Sequence, residues 1–433
     1  MVLINLHGQR RIPFLPVEKL NAIRDARLRG LVRYAALTVP YYQKLFKKER
    51  IDPCEIRSVE DLNQLPLIDK ELLRKDPMLF VSESPKGRRS LSFTTSGTTG
   101  MPLKVYHDRN SLLTNIAFSE REREVVSKIC AKPFGYRIAL ILYPGSTSEK
   151  VRDFYRQWTF IPIRPERFTL SVLDPFEDVI EKINHLRPDV LIGYGSYLET
   201  FFRILSLRRI PIHFPKVLVY GAEAMTDEGR TFIEEKFGIP VLSQYNAVEA
   251  FKIGFLCEKR RGFHIHEDLC PVKIVDAKGE QVANGEKGEV VISNFVNHGT
   301  VLLNYRLGDI ASMSNERCPC GRTLPLLSEL EGRVEDILFL PDGRFIHPRA
   351  IWGVIKKRDE VLKYQLIQHE PARFELRLVT IDRKIYQQVV RGILADLRDL
   401  LGNSTTIESE HNEELKPQEG GKFRSVLSLC KPR

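Results

Sequence analysis

Apolar residues recur three and four apart at Leu20, Ile23, Ala26, Leu28, Leu31, Tyr34 and Ala35, the spacing of an amphipathic helix. Residues 17–73 are therefore expected to be helical, with a second segment opening at Asp61-Leu62 and closing at Leu72-Leu73. Another long amphipathic helix is predicted from Ser111 to Ile129. Behind it, Ile138-Ala139-Leu140-Ile141-Leu142-Tyr143 is a continuous apolar run with the length of a buried strand. The pattern then alternates. Helix 175–186 precedes strand Val190-Leu191-Ile192, helix 197–208 precedes Val217-Leu218-Val219-Tyr220, and helix 226–236 precedes Pro240-Val241-Leu242. Such a rhythm implies βαβ crossovers and a mostly parallel sheet with helices on both faces.

From Phe251 to Met313 the periodicity shortens to strands with glycine turns, as in Gly285-Glu286-Lys287-Gly288 before Glu289-Val290-Val291-Ile292, which predicts a β-rich subdomain. Beyond Arg333 a smaller alternation follows. It comprises strand 336–340, turn Pro341-Asp342-Gly343, helix 348–357, strands near 362–368 and 373–380, and helix 384–401. The fold class is α/β. The expected division is an N-terminal domain 1–332, with a helical start 1–80, an α/β core 81–250 and a β-rich subdomain 251–332, and a small α+β C-terminal lid 333–433.

With 433 residues, 42% hydrophobic and 28% charged, the chain can bury a large core without disulfides. Seven cysteines, an odd number at uneven spacing, read as reduced thiols. No apolar run approaches the roughly 18 residues of a membrane span, and Met1–His7 lacks a signal peptide's cationic lead. A cytoplasmic protein without a membrane partner is expected. The net charge of +10 is scattered in pairs such as Arg10-Arg11 and Lys47-Lys48, a solvated face rather than a basic stripe. Nucleic acid is thus a minor alternative, and a positive field suits a small phosphate-bearing substrate.

The stretch Ser92-Phe93-Thr94-Thr95-Ser96-Gly97-Thr98-Thr99-Gly100-Met101-Pro102 reads as a phosphate cradle. Gly97 and Gly100 let backbone N–H groups turn toward an anion, and Thr94, Thr95, Ser96, Thr98 and Thr99 add hydroxyl donors. It lacks the Gly-Lys-Ser/Thr ending of the Walker loop and runs into extended Leu103-Lys104-Val105-Tyr106, so strand-loop-strand is expected and a P-loop NTPase is disfavoured. A plain polar turn is the competing reading. A second constellation is Cys257-x₆-His264 with Cys318-Pro319-Cys320, soft sulfur and imidazole donors suited to tetrahedral Zn²⁺. Buried thiols with a surface histidine are the alternative; His266 competes as a ligand, and Cys270 reads as core. Four protein ligands leave no open position, so such a metal is structural.

The loop resembles the phosphate loop of the adenylate-forming superfamily of acyl- and aryl-CoA ligases, adenylation domains and luciferases. Further motifs follow in the family's order: Gly221-Ala222-Glu223, Tyr245-Asn246-Ala247-Val248-Glu249, Tyr305-Arg306-Leu307-Gly308-Asp309, Gly332-Arg333-Val334-Glu335-Asp336 and Gly421-Lys422-Phe423. From Pro40-Tyr41-Tyr42 to Phe423 the chain is similar to the phenylacetate-CoA ligase branch. The resemblance implies ATP-dependent adenylation of a carboxylic acid, aryl or arylacetic, then transfer to coenzyme A with release of AMP and pyrophosphate. It also implies that Glu249 holds Mg²⁺, Tyr245 lies against adenine with Ala222 and Glu223 at its edge, and Asp309 accepts from the ribose hydroxyls. Arg333 lies near the nucleotide, Glu335 is the hinge of a mobile lid, and Lys422 bridges carboxylate and α-phosphate. In some members of this branch a Cys, His, Cys, Cys set binds a metal. The acid pocket is expected from 143–145, 194–197 and 221–222.

Three positions depart from the family: Asn246 for glycine, Leu307 for threonine, and Leu338–Arg344 where an Arg-Gly loop approaches pantetheine. The last keeps a carrier-protein thiol or an amine open as the acceptor. A non-catalytic nucleotide-binding scaffold ranks below both, and a homodimer is compatible with the sequence.

Overall fold

The computed structural model describes residues 8–94, 103–158, 166–331, 338–346, 348–355, 357–358, 360–415 and 424–430. β1 (Leu91–Thr94) and β2 (Lys104–His107) pair antiparallel from Leu91–His107 to Thr94–Lys104. The segment predicted to cradle phosphate is thus flanked by strands on both sides, as its apolar exit requires.

The continuous apolar runs become β3 (Ile138–Leu142), β4 (Arg167–Ser171), β5 (Val190–Gly193), β6 (Val217–Gly221) and β7 (Val241–Tyr245), parallel in the order β4-β3-β5-β6-β7. Their side chains alternate between two cores, as a pleated strand dictates. Ala139, Ile141, Leu191 and Leu218 pack with helices Phe176–Leu186, Gly195–Arg208 and Asp227–Phe237. Ile138, Val190, Val217 and Val219 face helix Glu120–Cys130 on the other side.

The β-rich part is continuous with this sheet. β8 (Gly254–Leu256), β9 (Phe263–Ile265), β10 (Val272–Val275), β11 (Gly288–Ile292), β12 (Tyr305–Met313) and β13 (Leu326–Glu331) extend it antiparallel as β7-β8-β9-β13-β12-β11-β10, giving 11 strands. Helices Val17–Thr38 and Pro40–Glu49 bury Leu28, Leu31, Val32 and Tyr42 in the core of this antiparallel half.

Toward the C-terminus, β14 (Leu338–Phe339) and β15 (Phe345–Ile346) form a hairpin. β16 (Val361–Glu370), β17 (Arg373–Thr380), β18 (Thr406–His411) and β19 (Val426–Ser428) make a separate sheet in the order β18-β17-β16-β19. Helices Pro348–Ile355 and Tyr386–Leu401 close its core. This part seats on the large sheet's helices through Phe345, whose ring lies 5.7 Å from Phe176 and 5.6 Å from Tyr197.

Some elements differ from the sequence expectation. The helix expected over 111–129 is two, Arg109–Phe118 and Glu120–Cys130, joined at Ser119, whose hydroxyl donates back to the Asn115 carbonyl; such back-bonding bends helices. The segment 61–73 is a 3₁₀ turn, Glu60–Gln64, and a short helix, Lys70–Lys75; Pro66 between them supplies no N–H and disfavours helix at the residue before it. Helix Thr147–Trp158 and strands β4, β18 and β19 were not read from the sequence. Among the described residues no helix is long and apolar enough to cross a membrane.

Candidate active site

Parallel strands leave their carboxyl ends along one edge, where the following loops converge. Tyr143 follows β3, Tyr194 follows β5, Ala222 and Glu223 follow β6, and Tyr245 closes β7. With Thr94, Glu249, Leu307 and Asp309, these residues line one cavity of about 1120 Å³. The structure therefore assembles Thr94, Ala222, Glu223, Tyr245, Glu249 and Asp309 from segments far apart in sequence. Thr95, Ser96, Gly97, Thr98, Thr99, Gly100, Arg333, Glu335 and Lys422 lie outside the described residues.

Asp309 reaches the cavity through an irregularity in β12. The register steps from Glu289–Ile310 to Val291–Arg306, placing three residues, Leu307-Gly308-Asp309, opposite one; Gly308 takes φ +84°, which favours glycine. The Tyr245 hydroxyl donates to Asp309 Oδ2 at 2.8 Å. Burial and this carboxylate raise the Tyr245 pKa well above its ordinary value, so the phenol remains the donor. Across the cavity Glu223 is buried and accepts from the Ser196 hydroxyl at 2.7 Å. Ala222 beside it sits at φ +65°, a left-handed conformation that costs a non-glycine residue energy and is concentrated at functional sites.

Glu249 lies in a turn rather than at a helix start. It is buried, its Oε1 accepts from the Tyr305 hydroxyl at 3.3 Å, and its carbonyl accepts from Asn294 Nδ2 at 3.0 Å. His107 on β2 fixes the same turn: burial pushes its pKa down to about 4, so the neutral ring donates from Nε2 to the Val248 carbonyl at 2.7 Å. Asn246 does not use a positive φ; that conformation falls to Phe251, φ +59°. With its amide turned to suit both neighbours, Asn246 donates to the Phe251 and Tyr245 carbonyls at 2.6 and 3.1 Å, closing the turn that presents Glu249.

Sequence reasoning did not single out Tyr155, Gln244, Lys252 and Trp352, which also line the cavity. Lys252 pairs with buried Glu122 at 2.7 Å. Burial opposes ionisation of Glu122, but Lys252 and His266 outweigh it and hold the pKa down to about 2. Trp352, from helix Pro348–Ile355, meets Tyr143 edge-to-face at 6.4 Å. Of the expected acid-pocket residues, Tyr143, Gly145, Tyr194 and Ala222 line the cavity. Tyr197 is fully buried against Phe201 and Phe345 instead.

The four soft ligands also converge. One donor atom each from Cys257, His264, Cys318 and Cys320 lies within 4.8 Å of the others. Cys257 and Cys318 sulfurs are 3.6 Å apart, and Cys320 Sγ is 3.3 Å from His264 Nε2. Tetrahedral Zn²⁺ would set about 3.8 Å between sulfurs and about 3.5 Å between sulfur and nitrogen. Burial pushes the Cys318 thiol up to about 12 and lowers His264 to about 4. For Cys320 burial opposes ionisation, but the Arg322 N–H and guanidinium prevail and lower the pKa. Buried Arg322 is itself held by Glu258 and Glu124 at 2.9 and 3.2 Å. His266 is drawn to Glu122 instead, and Cys270 is core.

Compared with known proteins, residues 338–428 match the model of the CapK C-terminal domain. A phenylacetate-coenzyme A ligase of Thermus thermophilus is 26% identical over 98% of this chain and 99% of its own length. The similarity to this phenylacetate-coenzyme A ligase runs along nearly the whole of both chains. Protein CapK of Staphylococcus aureus is 22% identical over 95% of this chain and 90% of its own. Among solved structures, a 2-hydroxyisobutyryl-CoA ligase in complex with 2-HIB-AMP and CoA superposes with TM-score 0.66, 17% identity, and coverage of 97% and 92%. The fold is accordingly that of the acyl-CoA ligases.

Proposed function

We propose that this chain adenylates a carboxylic acid with ATP and passes the acyl group to coenzyme A. The observation that carries the reading is the convergence of Glu223, Tyr245, Glu249 and Asp309 on one cavity at the carboxyl edge of the parallel strands. In the first half-reaction a substrate carboxylate oxygen attacks the α-phosphorus of ATP and the bond to pyrophosphate breaks. In the second, the thiol sulfur attacks the acyl carbon, AMP leaves with the bridging oxygen, and the thiol proton is lost. Both steps need placement and charge stabilisation rather than a protein nucleophile.

In this reading Asp309, oriented by Tyr245, accepts from the ribose hydroxyls, and Ala222 and Glu223 border adenine. Glu249, a buried carboxylate facing the cavity, is the residue that would hold Mg²⁺, which prefers carboxylate, phosphate and water oxygens and supplies charge neutralisation at phosphate. Thr94 to Gly100 would cradle the phosphates, Lys422 would bring an ammonium to the carboxylate and α-phosphate, Arg333 would lie near the nucleotide, and Glu335 would be the hinge. Domain boundaries at 332 and 333 belong to the same proposal. Cys257, His264, Cys318 and Cys320 would hold Zn²⁺, which staples β8 and β9 to the turn preceding β13. Aromatic walls from Tyr143 and Tyr194 favour an acid with a flat or apolar body. Mass-spectrometric analysis of ATP, CoA and acid incubations tests the acceptor. The reading expects acyl-CoA with stoichiometric AMP; AMP formation indifferent to CoA would reject it.

A further inference from the structure

Gln244 borders the cavity at the strand ends, but neither adenine, ribose nor phosphate is assigned to it. It stands on β7 immediately before Tyr245. The alternation of a strand turns its side chain to the opposite face, toward helix Glu120–Cys130. There its Nε2 donates to Glu122 Oε2 at 3.1 Å. Lys252 Nζ reaches the same oxygen at 2.8 Å and keeps that buried carboxylate ionised. A reversed amide would set its oxygen against the negative charge, so Glu122 fixes which end of Gln244 points away from the helix.

That outer end is the carbonyl Oε1, which lies 3.4 Å from the Asn246 side-chain amide. With the Asn246 amide turned to donate to the Phe251 and Tyr245 carbonyls, it offers Oε1 an oxygen rather than an N–H. Gln244 Oε1 is then left without a donor among the described residues. Asn246 lines the nucleotide cavity, which places this acceptor on the cavity side. Gly221, paired opposite Gln244 on β6, belongs to the segment expected to line the acid pocket. Its missing side chain leaves room beside the amide: a Cβ there would stand 3.9 Å from Gln244 Cβ and 4.0 Å from Asn246 Nδ2. An acceptor beside a bare glycine, in a cavity walled by Tyr143 and Tyr194, calls for a hydrogen-bond donor on the acid. The donor it suits is neutral. Lys252, matched by Glu122, repels a second ammonium, and a carboxylate has no hydrogen to give.

We infer that the acid adenylated by this chain carries a neutral hydroxyl on its body, which donates to Gln244 Oε1. This rests on the adenylation reading and specifies its substrate class. Acid-dependent ATP–pyrophosphate exchange tests it with benzoate, phenylacetate and 3-phenylpropionate, each beside its ring-hydroxylated forms, in the natural chain and in Gln244→Leu. The natural chain is expected to use a hydroxylated acid at least about tenfold better in kcat/KM than its hydroxyl-free partner, the scale of one hydrogen bond to an otherwise unpaired acceptor. Gln244→Leu, which removes the acceptor at similar volume, is expected to bring that ratio to about one or below while exchange with the hydroxyl-free acid persists. A natural chain with no preference for the hydroxylated acids, or a ratio unmoved in Gln244→Leu, would overturn the inference and leave adenylation standing. The ratio in the natural chain decides even where the variant does not fold. No exchange with any acid would overturn the adenylation reading itself, and the inference with it.

Discussion

Asp309 has one acceptor position already committed, because the Tyr245 hydroxyl donates to its Oδ2 at 2.8 Å. That bond fixes the carboxylate's rotation and leaves its other oxygen to meet a ribose. Tyr245→Phe should therefore raise KM for ATP about tenfold, the value of one hydrogen bond to a charged group, whereas Asp309→Ala should lower kcat/KM for ATP by about 100-fold or more. Steady-state kinetics against ATP checks both, and equal effects would reject the positioning role of Tyr245. Each residue was legible in its own motif. Their mutual bond was not, since 64 positions separate them and only the bulge in β12 turns Asp309 toward the end of β7. Lys252 escaped notice for a similar reason, its partner Glu122 lying on a helix 130 positions earlier.

At the scale of elements, the turn after β7 is tied to β2 by His107, which is neutral in the fold with a pKa of about 4 against an ordinary 6.5. A histidine lowered on folding leaves the unfolded chain binding more protons between those values, so stability is full above about pH 6.5 and falls toward pH 4, by about 3 kcal/mol in all. His107→Gln keeps a donor for Val248 but does not titrate. Denaturant unfolding across pH 4–7 should show a shallower acid decline in that variant, and an identical slope would contradict the assignment. Periodicity located most helices and the parallel strands because each is a local pattern. It missed the break at Ser119, where apolar spacing continues through the joint. The β-rich part was legible as a change of period, whereas its joining to the parallel sheet was not, because that rests on one short antiparallel pairing, Gln244 with Phe255 and Tyr245 with Gly254, across the turn that carries Glu249.

Across the whole molecule, two features link distant parts. The Cys257, His264, Cys318 and Cys320 cluster joins segments about 60 residues apart, the gap of 61 between Cys257 and Cys318; its residue types made it legible, while its closure depends on the pairing of β13 with β9. Zinc should co-purify near one per chain and be lost in Cys318→Ser, by metal analysis, with lower thermal stability; a metal-free and equally stable chain would dispose of the site. The C-terminal part contributes Trp352 to the cavity wall, and the proposed role of Lys422 is specific to adenylation. Lys422→Ala should thus lower adenylate formation far more than thioester formation from supplied acyl-adenylate, and equal losses would refute that role. The contact of Phe345 with Phe176 and Tyr197 had no sequence signal, because the hairpin bearing it reads as an ordinary Pro-Asp-Gly turn.

The central claim is that one cavity at the strand ends activates a carboxylate with ATP. Acid-dependent ATP–pyrophosphate exchange in the natural chain and in Glu249→Gln, across short and elongated acids, tests it most directly. The account predicts Mg²⁺-dependent exchange with at least one acid class and a loss of about 100-fold or more in the variant, the scale of removing a group that stabilises transferring phosphate. Exchange that persists undiminished in Glu249→Gln, or none with any acid, would contradict it.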